Sequence, residues 1–118
     1  MLAIRTNDGG TWFRPGEALR GTVSWHLEED AEELEVRLFW YTTGKGSRDV
    51  EVVEIKHLAQ PEISGTRDFE FRVPRGPYSF SGKLITLAWA IELVALPEGE
   101  TERLDVKIGP QPVEVDIS

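Results

Sequence analysis

The chain has 118 residues, 40% of them hydrophobic and 29% charged, with a formal net charge of -8 and no cysteine. That balance fits one globular domain rather than a disordered chain, and it excludes disulfides and any cysteine-based metal site or nucleophile. The acidic excess argues against a nucleic-acid or anionic-membrane surface, which needs clustered Lys and Arg to displace counterions.

The first segment, Met1 to Thr6, is followed by the turn signal Asn7-Asp8-Gly9-Gly10. It shows no basic stretch leading into a long apolar run, so no signal peptide is expected. The longest apolar region, Leu84 to Leu96, is interrupted by Thr86 and Glu92 and falls short of the roughly 18 apolar residues of a membrane span. A cytoplasmic location is the resulting expectation.

From Leu19 onward the pattern alternates with period two. Leu19, Gly21, Val23, Trp25 and Leu27 share one face, while Arg20, Thr22, Ser24 and His26 share the other, as in a strand with one buried and one wet face. The acidic run Glu28 to Glu33 reads as a solvated turn. Leu34, Val36, Leu38 and Trp40 then repeat the alternation, with Glu35, Arg37, Phe39 and Tyr41 opposite. Gly44-Lys45-Gly46-Ser47 reads as a hairpin turn. In the next run, Val50 to Ile55, the apolar parity changes at Val52-Val53, which predicts a β-bulge. Phe69, Phe71 and Val73 alternate with Asp68, Glu70 and Arg72. Gly82 to Leu96 is apolar on both faces in its middle, which predicts a long central strand; the competing helical reading loses to its β-branched and aromatic content. Two more alternating runs follow, Leu104 to Ile108 and Val113 to Ile117, and Pro/Gly clusters punctuate the whole series. The sum is about eight strands with no repeat and no linker: one domain over residues 1–118, all-β, built as a two-sheet antiparallel β-sandwich.

Four segments, taken in order, carry a family resemblance. They are Phe13-Arg14-Pro15-Gly16-Glu17-Ala18-Leu19-Arg20-Gly21-Thr22-Val23, then Leu34-Glu35-Val36-Arg37-Leu38, then Phe69-Glu70-Phe71-Arg72-Val73-Pro74. The last is Tyr78-Ser79-Phe80-Ser81-Gly82-Lys83-Leu84-Ile85, leading into Leu87 to Leu93. Together they resemble the arrestin-like sandwich, of immunoglobulin-like architecture. That fold is shared by arrestin domains, their α-arrestin relatives, the retromer subunit of Vps26 type and bacterial sporulation-control proteins of Spo0M type. The chain looks like a single-domain, bacterial-type member. Arrestins pair two such sandwiches, and this chain has length for one. It also lacks the Pro-Pro-x-Tyr motifs of the α-arrestins, so receptor binding, phosphate sensing and ligase recruitment do not carry over. The resemblance implies the fold and a scaffold or adaptor role, the latter by analogy. Residue physics agrees with the motifs. Pro15-Gly16 suits a type II turn, and Gly21 on the buried face suits the close approach of an aromatic ring.

Candidate chemistry is sparse. His26 and His57 are the two histidines, and neither has a further metal ligand at a recognised spacing. The serines lack a Gly-x-Ser-x-Gly elbow, and the acidic clusters lack the order of a calcium loop. Glu92, inside an apolar strand, invites a structural ion pair with Arg37 or Lys83. No catalytic residue, cofactor or metal is therefore expected, and the chain reads as a non-enzyme. Trp12, Trp25, Trp40, Trp89, Phe13, Phe69 and Phe71 are expected in the core. Phe39 and Tyr41 on the opposite sheet face, with Tyr78 and Phe80 in a loop, are the expected partner contacts. The expected function is protein–protein interaction through an edge strand or exposed sheet face, a homodimer included. The alternative is a carbohydrate- or lipid-binding sandwich that stacks its ligand on Tyr78, Phe80 and a tryptophan.

Overall fold

The computed structural model describes residues 1–44, 48–82, 84–97 and 99–110, and the backbone of Val115 and Asp116. Its extended segments are β1 (Leu2–Thr6), β2 (Trp12–Phe13), β3 (Ala18–His26), β4 (Glu33–Gly44), β5 (Val50–Ala59), β6 (Ser64–Arg72), β7 (Phe80–Ser81), β8 (Ile85–Leu96), β9 (Thr101–Ile108) and β10 (Val115–Asp116). Among the described residues there is no helix, and so none long and apolar enough to cross a membrane. Lys45 to Ser47 of the expected hairpin turn lie outside the described residues, as do Lys83, Val113 and Ile117.

Two sheets face each other. The small one runs β1-β3-β6; the large one runs β10-β7-β8-β4-β5, with β9 also on β8 and β2 on β9. All long pairings are antiparallel, as the alternation requires, while the two-residue contacts β2–β9 and β10–β7 are parallel. The fold is the expected all-β sandwich, with three very short strands added to the longer ones.

The core lies between the sheets and is filled by the inward parity of each strand. Leu19, Val23 and Trp25 from β3 meet Leu34, Val36 and Leu38 from β4, and Leu87, Trp89, Ile91 and Leu93 from β8. Each fully buried aliphatic or aromatic side chain contributes on the order of 1.5–3 kcal/mol. Buried indoles also satisfy their N–H: Trp89 Nε1 donates to the carbonyl of Pro77 at 2.8 Å and Trp25 Nε1 to that of Glu62 at 2.8 Å. All four tryptophans are buried or partly buried, as are Phe13, Phe69 and Phe71.

Two glycines do the expected backbone work. At Pro15-Gly16 the chain turns with Gly16 at φ 84°, and the Glu17 N–H donates to the Arg14 carbonyl at 3.1 Å, the geometry of a type II turn. A Cβ on Gly21 would sit 2.3 Å from the Arg5 carbonyl oxygen and 2.6 Å from Phe69 Cζ. The missing side chain is what lets the Phe69 ring lie across β3.

The twelve residues of β8 form the centre of the large sheet. One edge of β8 pairs with β4 along its whole length. The other is shared, with β7 at Thr86 and Leu87 and β9 from Trp89 to Val94. On its outer face Ala90 and Val94 are also buried, which accounts for the apolar residues on both faces in the middle of this stretch. At the far side of β4 lies β5. Its register shifts where Leu38 opposes Glu54 but Phe39 opposes Val52, leaving Val53 as the extra residue. This is the bulge that the parity change predicts, and it falls on the same two valines.

Candidate interaction surface

The outer face of the large sheet is laid out in rows by the ladder. Val50, Tyr41 and Ala88 form one row, and Val52, Phe39 and Ala90 the next. Ile55, Arg37 and Glu92 follow, and then His57, Glu35 and Val94. The face thus divides into an apolar half and a charged half.

In the apolar half Phe39 points outward yet is only 8% exposed, because Val52 and Ala90 flank it and Tyr41 leans over it. The two rings lie 5.9 Å apart at 31°. The guanidinium of Arg103 on β9 stands 5.3 Å from the Tyr41 ring, a cation–π contact at a half-exposed site. Phe39 is therefore a support for Tyr41, which presents the accessible part of the pair. The other two expected aromatics sit elsewhere. Phe80 opposes Leu87 and packs against the core, while Tyr78, just before β7, is 40% exposed.

The charged half is a network. Arg37 holds Glu35 Oε1 at 2.7 Å and approaches Glu92 Oε1 at 3.8 Å. Glu92 thus has the arginine partner expected of it, on the outer face. His57 Nδ1 hydrogen-bonds Glu33 Oε1 and lies 3.5 Å from Glu35 Oε2. Donor atoms of Glu33, Glu35 and His57 all fall within 4.8 Å of one another, and among the described residues this trio has the spacing to hold a metal ion. Each residue of the trio already has a protein partner, His57 with Glu33 and Glu35 with Arg37, so the trio forms a hydrogen-bonded polar cluster. Sequence spacing missed it because Glu35 and His57 meet across the β4–β5 ladder. Counting back along the hairpin would find the pair only after allowing for the bulge. His26, as expected, is exposed; its Nδ1 shares a hydrogen bond with Ser64 Oγ at 2.5 Å.

The least protected element is β5. It pairs with β4 on one side, and among the described residues nothing pairs with its other side. Val50 is 62% exposed, with Val52, Val53 and Ile55 between 37% and 43%. The β-branched residues of Val50–Ala59 would suit a central strand equally well, and the sign of an edge is charge on the core-facing side. Its inner face carries Glu51, Glu54 and Lys56, opposite Trp40, Leu38 and Val36 of β4. Lys56 Nζ sits 2.7 Å from Glu54 Oε2 and 5.8 Å from the centre of the Phe71 ring. Between β5 and β6 the sandwich opens into a cavity of about 310 Å³ lined by Val23, Trp25, Val36 and Phe69 and by the charged Lys56, Arg67, Asp68 and Glu70. On β6, Arg20 of the neighbouring strand hydrogen-bonds Glu70 at 2.5 Å. That hydrogen bond, and then the guanidinium charge, hold the Glu70 carboxyl below the usual carboxylate range.

No family model matches the chain, and a search of curated proteins gave no significant match. Solved structures do match. The sporulation control protein Spo0M from Bacillus subtilis superposes with a TM-score of 0.66 at 16% identity, over 94% of this chain and 49% of that one. A β-glucosidase from Listeria innocua, in complex with gluconolactone, superposes with a TM-score of 0.50 at 11% identity, over 96% of this chain and 16% of the enzyme. At such identities the likeness is one of fold, and the chain spans about half the length of Spo0M. The chain thus shares its overall fold with Spo0M, an all-β sandwich consistent with the arrestin-like fold.

Proposed function

We propose that this chain is a non-enzymatic protein-interaction module, a scaffold or adaptor, that takes a partner's extended segment onto the free edge of β5. One observation carries the reading: a ten-residue strand with one edge unpaired among the described residues and with apolar side chains exposed. Such an edge offers a row of N–H and C=O groups to an added strand. The exposed side chains of Val50 and Val52, with Tyr41 supported by Phe39, extend the contact onto the sheet face. The similarity to a sporulation control protein supports a regulatory role over a metabolic one.

A photo-crosslinking residue placed at Val52 or Ile55 tests this in the native host. Crosslinks to another polypeptide from these positions, and none from Arg5 on β1, are the expected result. Crosslinks only from other surfaces overturn it.

A second reading rests on the cavity between β5 and β6, whose wall includes Trp25 and Phe69. It would suit the apolar part of a lipid or a sugar stacked on an indole. A thermal-shift screen of fatty acids and glycans, repeated on Phe69→Ala, decides that reading.

A further inference from the structure

We infer that the occupant of the β5 edge is β5 of a second copy of this chain, paired antiparallel about a two-fold axis at Ile55. The inference rests on the proposed strand addition and names its partner.

The argument is one of register. A two-fold axis perpendicular to the sheet makes the pairing antiparallel and isologous, and residues directly opposite each other then point to the same face. The centre of symmetry must fall in the regular stretch after the bulge at Val53. Centring on Glu54 sets glutamate against glutamate, and centring on Lys56 sets lysine against lysine. Centring on His57 leaves Glu54 and Lys56 with no opposite charge and shortens the ladder. Centring on Ile55 places Glu54 opposite Lys56 of the second copy, and Lys56 opposite its Glu54, on the inner face. On the outer face, where Ile55 and Val52 already oppose Arg37 and Phe39 of β4, Ile55 meets itself and His57 lies across from the bulge at Val52-Val53. Charges on the buried side of an edge strand ordinarily discourage pairing. Here their alternation admits one register and rejects its neighbours. The result is one continuous sheet across two protomers, with the apolar rows of both copies on the same outer face.

Sedimentation velocity of four samples tests this: the wild type, Glu54→Lys, Lys56→Glu, and an equal mixture of the two variants. Both side chains are partly solvent-exposed, at 39% and 47%, so each variant is expected to fold, which far-UV circular dichroism checks. The wild type is expected to dimerise reversibly. Each single variant is expected to weaken dimerisation roughly tenfold or more, because two symmetry-related opposite-charge pairs become like-charge pairs. In the mixture every glutamate faces a lysine across the two-fold, so association returns as a heterodimer. A wild type that stays monomeric at high concentration overturns the self-pairing, as does a dimer insensitive to both substitutions, or a mixture that fails to associate. None of these outcomes touches the crosslinking result from Val52 and Ile55, which tests strand addition by any partner.

Discussion

β8 and β5 are made of similar residues and meet opposite fates. Both are rich in Val, Ile, Leu and Ala, and both lie in the large sheet. β8 has neighbours along both edges and is buried on both faces through its middle, whereas β5 has one neighbour among the described residues and is exposed along most of its length. Composition therefore sets the tendency to extend, while position in the sheet decides whether the strand stabilises the fold or offers itself to something else. The charges sharpen the contrast. The only charge in β8 is Glu92, near Arg37 at 3.8 Å, while β5 carries Glu51, Glu54 and Lys56 on its inner face.

The widest gap should appear on truncation. Trp89→Ala, at a fully buried position of β8, is expected to lose about 3–5 kcal/mol in denaturant unfolding. A loss below about 1 kcal/mol, the typical scale of a point substitution, would mean that β8 is not the centre of the core. Next comes Gly21→Ala. The added methyl would lie 2.3 Å from the Arg5 carbonyl oxygen, so the β1–β3 spacing must give, at a cost of about 1–3 kcal/mol. Pairing it with Phe69→Leu removes the ring clash and leaves the backbone clash, which separates the two contributions.

At β5 the effect on stability should be much smaller. Ile55→Lys, on a side chain 37% exposed, is expected to change stability by about 0.5 kcal/mol or less when measured at dilution. The same substitution should abolish association through the edge, seen as loss of the fast-sedimenting species. A large destabilisation would show that β5 belongs with β8 after all.

The smallest expected effect is on pH. Arg20 depresses the Glu70 carboxyl in the folded state, so the pair adds stability above the titration of an unfolded glutamate. That stability is lost as pH falls through the lowered native value. Stability curves of wild type and Glu70→Gln should therefore differ slightly at neutral pH and converge in acid; curves that diverge in acid would reverse the sign.

Much of this fold could be read from the chain because parity is a local property. The alternation from Leu19 to Leu27 assigns the inner face of β3, the doubled valine at 52–53 marks the bulge, and the apolar run through β8 marks the centre. Gly21 under Phe69 was likewise visible as a missing side chain on a buried face. The candidate site was less legible because it depends on which strands are neighbours. Alternation alone places Phe39 and Tyr41 on the face away from the core, but the cover that Val52 and Ala90 give Phe39 exists only once β5 and β8 flank β4. The Glu33–Glu35–His57 cluster needs the same register, and Phe80 could be assigned to the core side only through its pairing with Leu87.

The extra residue at Val53 has a consequence for the chain's safety as well as its shape. A bulge bends and twists its strand, so the exposed edge is broken into unequal lengths and cannot stack indefinitely on flat templates. Deleting Val53 would straighten the ribbon and restore a uniform zigzag of valine and isoleucine. The expected product is a protein that folds as before yet precipitates into fibrous deposits on standing, with one amino acid separating orderly docking from indiscriminate clumping.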